Sequence, residues 1–225
     1  MKDKRILITG GTSGLGLALA TEALERGAKV VAVARRPPQR VPHSDRYLFI
    51  AADISHAEDI YAISGEATSF LGSIDILINN ASYLGQTPLK QLLDTECEDF
   101  EAVLQTNVLG PFRLTKAILP QMVLSNRGLV VNISSDAAVS AYPRWGSYSV
   151  SKAALDHLSR VWEEELKLAG IHFLAVDPGD MDTPMHRAAL PESDPQTLRT
   201  PSDSARLLLD LIESGQYLNP VRRSL

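Results

Sequence analysis

Ile6-Leu7-Ile8-Thr9-Gly10-Gly11-Thr12-Ser13-Gly14-Leu15-Gly16 is the stretch that decides how this chain folds. The three apolar residues read as a short buried strand, the glycines as a turn, and Leu17-Ala18-Leu19-Ala20 as the body of a helix. Strand, glycine turn and helix in that order are the context of a dinucleotide site. Glycines let the backbone approach a pyrophosphate, and the N–H groups of the new helix meet its oxygens. Gly10, Thr12, Ser13, Gly14, Leu15 and Gly16 are therefore candidate cofactor contacts. The spacing is Gly-x-x-x-Gly-x-Gly, and no Lys-Ser/Thr pair follows it, which argues against nucleoside triphosphate hydrolysis. Taken in isolation, the same residues also suit a plain flexible turn.

Outward from this turn, strands and helices alternate. The helix ends near Arg26-Gly27, and Lys29–Ala34 follows as a β-branched, apolar second strand. Pro37-Pro38 and Pro42 mark an irregular connection. Further strands are expected at Tyr47–Ala51, Ile74–Ile78, Leu129–Ile133 and Ile171–Val176, with a very short last one near Gln216–Asn219. Helices are expected over 56–71, closed by Gly72, over 96–124, from the region of Tyr148 to about Ala169, and over 202–213. Gly110-Pro111 should bend or break the long pattern, with Asn107 just upstream where disturbed backbone leaves groups free for a water or a polar side chain. Residues 180–200 are rich in Pro, Asp and Thr and are expected to form a mobile lid. Such alternation, without repeats or a linker, indicates an α/β chain: one domain over 1–225 built on a doubly wound parallel sheet with helices on both faces.

Composition narrows the class. A chain of 225 residues with 44% hydrophobic and 22% charged residues buries a full core. The net charge of -5, without a dense basic run, argues against nucleic acid as a partner. Met1–Arg5 runs straight into a strand too short for a leader or a membrane span, and a single cysteine excludes an intramolecular disulfide. A soluble cytoplasmic protein without membrane contact is expected. That one cysteine, Cys97, stands among Glu96, Glu98 and Asp99, which disfavour a thiolate. The five histidines lack metal-ligand spacing, so no metal is expected.

Three further places carry chemistry. Arg35 and Arg36 directly follow the second strand, where an acidic residue holds a ribose 2′-OH and an arginine accommodates a 2′-phosphate. NADP(H) is favoured, with NAD(H) second; the bland alternative is a solvated loop rim. Ser135 ends the fifth strand, on the side of the sheet where open α/β folds bind ligands. Tyr148 and Lys152 are four residues apart and share one helix face. An ammonium about 4 Å from a phenol contributes roughly 4 kcal/mol, worth about three pKa units. An isolated Tyr-x-x-x-Lys is more often two solvated residues.

Taken together, these motifs resemble a classical short-chain dehydrogenase/reductase, from Thr9 to about Asn219, and imply its Rossmann-type fold. The resemblance assigns Thr9-Gly10-x-x-x-Gly14-x-Gly16 to the cofactor loop and Asp53 to the adenine. Asn79-Asn80-Ala81-Ser82 matches the family's Asn-Asn-Ala-Gly, with Asn80 and Ala81 near the cofactor and Ser82 in place of the glycine. Asn107, Ser135, Tyr148 and Lys152 fall on the catalytic tetrad; Ser135 stands thirteen residues before Tyr148, and Ser134 is the lesser candidate. Pro178-Gly179-x-x-x-Thr183 matches the segment around the nicotinamide, with the Met181 backbone at its carboxamide. The implied activity is reversible hydride transfer between a nicotinamide and a carbonyl or secondary alcohol. Tyr148 acts as general acid/base, Lys152 lowers its pKa and holds the ribose, Ser135 binds the substrate oxygen, and Asn107 holds a water. The family's closing Asp-Gly-Gly is replaced by Tyr217–Arg222, so a homodimer through the two long helices is expected rather than a tetramer.

The same residues admit two rival functions. A non-catalytic NADP(H)-binding redox sensor shares the fold but usually lacks the tyrosine or lysine that is present here. A hydrolase built on Ser135 and His186 lacks the G-x-S-x-G elbow. Tyr142-Pro143-Arg144-Trp145 suits either a wall for a flat or apolar substrate or simple packing, and Asp180, Asp182, Met185 and His186 suit the lid side. Within the family the same tetrad serves sugars, steroids, acyl thioesters, pteridines and small aldehydes.

Overall fold

Strands buried on both faces need helices on both faces, and the chain supplies them. The computed structural model describes residues 1–39, 44–216 and 221–225. β1 (Arg5–Thr9), β2 (Lys29–Ala34), β3 (Tyr47–Ala51), β4 (Ile76–Asn79), β5 (Gly128–Ile133), β6 (Ile171–Asp177) and β7 (Arg222–Ser224) form one parallel sheet in the order β3-β2-β1-β4-β5-β6-β7. Alternate side chains feed two cores. Ile6, Ile8, Val30, Val131 and Leu174 meet α1 (Gly14–Glu25) and α7 (Pro201–Ser214). Leu7, Val31, Leu77, Val130 and Phe173 meet α2 (Asp59–Leu71) and α4 (Gly110–Ser125), with Trp162 and Leu166 of α5 (Gly146–Leu166) packed alongside. Trp162 stacks between Phe112 and Phe173, so it is a packing residue.

The long helical pattern is continuous but not uniform. α3 (Cys97–Leu104) passes through a π-helical turn, Gln105–Leu109, into α4. Pro111 has no N–H for the carbonyl four residues back, that of Asn107, and its ring crowds that carbonyl; a widened turn relieves both. The disturbance expected at Gly110-Pro111 thus falls one turn earlier and does not break the rod. Gly110 itself is required by close approach, since a Cβ there would lie 2.7 Å from the Ile54 carbonyl oxygen.

Other boundaries differ in detail. The second helix begins at Asp59 rather than 56, and the fourth strand spans Ile76–Asn79 rather than Ile74–Ile78. The segment 180–200 contains α6 (Pro184–Ala189) and a 3-10 turn at Pro195–Thr197, and a bridge pairs Met181 with Arg199. The last strand was expected near Gln216–Asn219. Gln216 lies in a turn, and Tyr217 to Pro220, like Pro42, lie outside the described residues; the strand seen is Arg222–Ser224, at the sheet edge.

The amino ends of the central strands are clasped by one carboxylate. Asp75, 7% exposed, accepts from Arg5 N (3.0 Å), Arg5 Nε (2.8 Å), Arg5 Nη2 (2.8 Å) and Arg127 Nη2 (2.7 Å). Burial opposes the charge, but the Arg5 bonds, reinforced by Arg127, hold its pKa at about 2. A depressed carboxylate pKa stabilises the fold above the unfolded value, and that stabilisation is lost as pH falls through the folded value. Asp75→Asn should therefore cost about 2 kcal/mol in urea unfolding at neutral pH. The gap between variant and wild type should close as pH falls from about 4 toward 2.

Candidate active site

The strand order reverses beside β1: the chain goes outward through β2 and β3, then returns to place β4 on the other side. At such a switch point the connections leave in opposite directions and open a crevice at the carboxyl ends. The cleft there has a volume of about 1610 Å³, larger than the ~300–1,000 Å³ of a drug-sized ligand site.

One half is built by the glycine turn. A Cβ on Gly16 would lie 2.2 Å from the Gly10 carbonyl oxygen, so only glycine lets α1 rise this close to β1. Thr9 Oγ1 accepts from the N–H groups of both Asn80 (3.0 Å) and Ala81 (3.1 Å), while Asn80 Nδ2 donates to the carbonyls of Thr9 (2.9 Å) and Gly10 (3.2 Å). The Asn80 side chain therefore braces the turn from behind. Gly10, Thr12, Ser13, Gly14 and Leu15 line the cleft, whereas Gly16 supports it from within the packing. Ser13 caps α1 without a side-chain hydrogen bond, and no acidic residue occupies the first helical turn. These N–H groups and the helix dipole fit a pyrophosphate.

Arg35, Arg36 and Asp53 line the far end. Arg35 is largely exposed, with its guanidinium 4.0 Å from the Asp53 carboxylate. Asp53 is opposed by burial, yet hydrogen bonds from Ser55 N and Oγ and the nearby Arg35 keep its carboxyl below the usual range. At the near end, Pro178, Gly179, Met181 and Thr183 also line the cleft; Asp177 Oδ1 accepts from Gly179 N (3.1 Å), and Thr183 caps α6 through His186 N (3.2 Å). The glycines, the open helix terminus and the cation at the far end fit a nicotinamide dinucleotide.

The other half gathers the catalytic candidates. Tyr148 and Lys152 stand on α5, 8% and 2% exposed, with Lys152 Nζ 5.4 Å from the Tyr148 ring centroid. Nζ donates to the Ile133 carbonyl oxygen at 2.7 Å. Burial brings the ammonium down to about 8, opposed by Asp156. Burial likewise pushes the Tyr148 phenol up to about 12; the Ser135 and Ser82 hydroxyls beside it work the other way, and Asp136 and Asp177 add to the rise. In the protein by itself the Lys152 charge does not offset the desolvation of the phenol.

Ser135 caps a short 3-10 turn, Asp136–Ala138, and its Oγ donates to Asp136 Oδ1 (2.9 Å) while accepting from Ala137 N (3.2 Å). Ser134 is buried, with no hydrogen-bond partner for its Oγ, and does not compete with Ser135 as the hydroxyl beside Tyr148. Asn107 sits in the π-helical turn, 1% exposed, behind the cleft wall. Its Nδ2 donates to the Tyr83 carbonyl (2.8 Å) and to Ser151 Oγ (2.9 Å); its Oδ1 accepts from Tyr83 N (2.7 Å) and Ser82 Oγ (3.3 Å). The amide is thereby saturated. Its backbone carbonyl lacks the usual donor four residues on, because Pro111 has no N–H.

Several contributors escaped the sequence reading. Ser151 is three residues after Tyr148 and links its backbone carbonyl (2.7 Å) to Asn107; helical periodicity contains that signal. Asp136 accepts from both Ser135 and Tyr142 Oη (2.7 Å), and Ser82 matters for its hydroxyl, not only as a lost glycine. Of the proposed wall, Tyr142 and Trp145 line the cleft, while Pro143 and Arg144 line a separate shallow recess with Leu92. On the lid side Asp180, Met185 and His186 line the cleft, whereas Asp182 pairs with Arg187 at 2.7 and 2.9 Å. Among the described residues no cluster of His, Cys, Asp and Glu has the arrangement of a metal site, and no helix is long and apolar enough to cross a membrane.

Comparison with known proteins agrees with this geometry. The short chain dehydrogenase family profile matches residues 4–194. A 2-(R)-hydroxypropyl-CoM dehydrogenase of Xanthobacter autotrophicus is 35% identical over 187 residues, 80% of this chain and 75% of that protein. A 3-ketoacyl-(acyl-carrier-protein) reductase from Brucella melitensis, solved with NADH, superposes with a TM-score of 0.90 at 28% identity, covering 100% of this chain and 96% of the other. A short chain dehydrogenase fold from Shigella flexneri, solved with NADP, gives 0.85 at 25% identity, covering 100% and 97%. Seven parallel strands, a glycine-braced cleft at their switch point and these relatives together make the chain an oxidoreductase of the short-chain dehydrogenase family.

Proposed function

We propose that this chain is an NADP(H)-dependent oxidoreductase that interconverts a carbonyl and a secondary alcohol, with Tyr148 as general acid/base. The observation that carries the reading is the convergence, at one point of the cleft, of the Tyr148 phenol with the Ser135 and Ser82 hydroxyls above a buried Lys152. Arg35 at the far end of the same cleft favours the 2′-phosphate form of the cofactor.

When bound, NADP(H) supplies the hydride. The chain's own groups handle the oxygen and the proton. Ser135 holds the substrate oxygen and stabilises charge as it develops there. A phenol raised to about 12 is protonated at neutral pH, which suits reduction, where Tyr148 releases its proton to that oxygen; oxidation starts from the phenolate, which takes the proton of the alcohol. Lys152, one turn away, stabilises the resulting phenolate. The Asn107 backbone carbonyl holds a water that resupplies the proton. Arg36 supports Arg35, Asp53 faces the adenine, and the Pro178–Thr183 segment, with the Met181 backbone, flanks the nicotinamide. The segment 180–200 closes over the substrate as a lid. We further infer a cytoplasmic homodimer assembled through α4 and α5, whose outer faces carry the exposed Val123, Val150 and Val161.

Two measurements test this. Tyr148→Phe should lower turnover of an α-dicarbonyl panel by at least ~100-fold while leaving the NADPH Kd within about twofold, because it removes a proton and not a binding surface. Retained turnover would remove Tyr148 from the chemistry. Arg35→Ala should weaken NADPH binding, followed by nucleotide fluorescence, by roughly tenfold and leave NADH binding unchanged. Equal loss for both nucleotides, or a wild-type preference for NADH, would defeat the NADP(H) assignment.

A further inference from the structure

Arg222, on the edge strand β7, reaches back beneath the catalytic half of the cleft. Its Nε donates to Asp156 Oδ2 at 2.8 Å, and its Nη2 donates to the Ser135 carbonyl oxygen at 3.0 Å while lying 3.5 Å from Asp177 Oδ2. Nη1 donates to Ser224 Oγ at 3.3 Å. The guanidinium is largely buried, and Asp156 is 5% exposed. The acceptors other than Ser224 belong to segments of the site. Ser135 is the substrate-side hydroxyl, Asp177 orders the Gly179 turn, and Asp156 stands one helical turn beyond Lys152 on the same face of α5.

We propose that Arg222 is a positioning residue of the active site: its fork fixes the Ser135 peptide and compensates Asp156, so that Lys152 meets a balanced ion pair and not a bare carboxylate. The inference rests on the roles given above to Ser135 and Lys152. It assigns to the last strand, outside the residues matched by the family profile, a part in building the site.

The charges around Lys152 set the direction of the test. Tyr148 and Asp156 face it from its own helix and the Ile133 carbonyl from β5; Arg222 on β7 stands behind Asp156, with Asp177, at the end of β6, 3.5 Å from its guanidinium, and Asp136 lies beyond Ser135. Removing the guanidinium deletes a cation and leaves Asp156 uncompensated, and both changes favour the protonated amine.

The deciding measurement is the titration of Lys152 in the ligand-free protein, followed by ¹³C NMR of lysine Cε and assigned with Lys152→Met. Arg222→Gln should raise the midpoint by about one pH unit. Arg222→Lys keeps the cation and should leave the midpoint near the wild-type value. It lacks the fork to Ser135, however, so turnover of the α-dicarbonyl panel should fall about tenfold with NADPH Kd unchanged. If circular dichroism shows Arg222→Gln to be unfolded, Asp156→Asn provides the same test with the opposite sign, a lowered midpoint. An unmoved or lowered midpoint in folded Arg222→Gln, an unmoved or raised one in Asp156→Asn, or full turnover in Arg222→Lys would overturn the assignment. A wild-type protein that turns over none of the panel would instead sink the reductase reading, and the Lys152 midpoint would still decide the role of Arg222.

Discussion

A lysine ammonium taken out of water is the constraint around which the functional half of this molecule is arranged. Lys152 is 2% exposed and its one hydrogen bond among the described residues goes to the Ile133 carbonyl at the end of β5. An isolated buried charge is strongly disfavoured, and the protein meets the cost with a carbonyl and the Asp156 carboxylate, which is itself paired to Arg222. The same burial raises the Tyr148 phenol. Desolvation therefore moves both partners toward their neutral forms.

That arrangement depends on α5 being held rigidly against the sheet. Asn132 Nδ2 donates to Ser159 Oγ (2.8 Å), and Ser151 Oγ donates to the Tyr148 carbonyl (2.7 Å) while accepting from Asn107 (2.9 Å). The π-helical turn thus serves two purposes. It makes room for the Pro111 ring, and it aims a saturated side chain that ties α5 to the loop after β4. At the opposite end of the strands, the Asp75 clasp joins the amino ends of β1 and β4 to the Arg127 segment before β5 without touching the cleft. Stability and chemistry occupy opposite edges of one sheet, so the carboxyl ends can remain open and polar.

Much of this was legible in the sequence. β2 and β3 fall on the expected boundaries because β-branched apolar runs bounded by turn residues have few other uses. The glycine turn is equally plain, since Gly16 and Gly10 meet too closely for any side chain. Tyr148 and Lys152 stand out by spacing, Ser135 by its strand end and Asn107 by the disturbed helix beside it; the family resemblance groups the four, and the fold brings them to one region. What spacing did not reveal was which group opposes which. Asn107 is saturated by Tyr83, Ser82 and Ser151, Asp136 holds the Ser135 proton, and Arg222 arrives from 87 residues downstream of Ser135.

The sequence by itself determined the alternation of strands and helices, the glycine turn and the candidate side chains that the cleft gathers, because each depends on residue type within a few positions and on backbone sterics. The tertiary structure alone decided the burial of Lys152 and Tyr148, the direction of their pKa shifts, the inward turn of Ser134 and the fork of Arg222. Those outcomes depend on the removal of water and on contacts between residues far apart in the chain, and a local pattern carries no record of either.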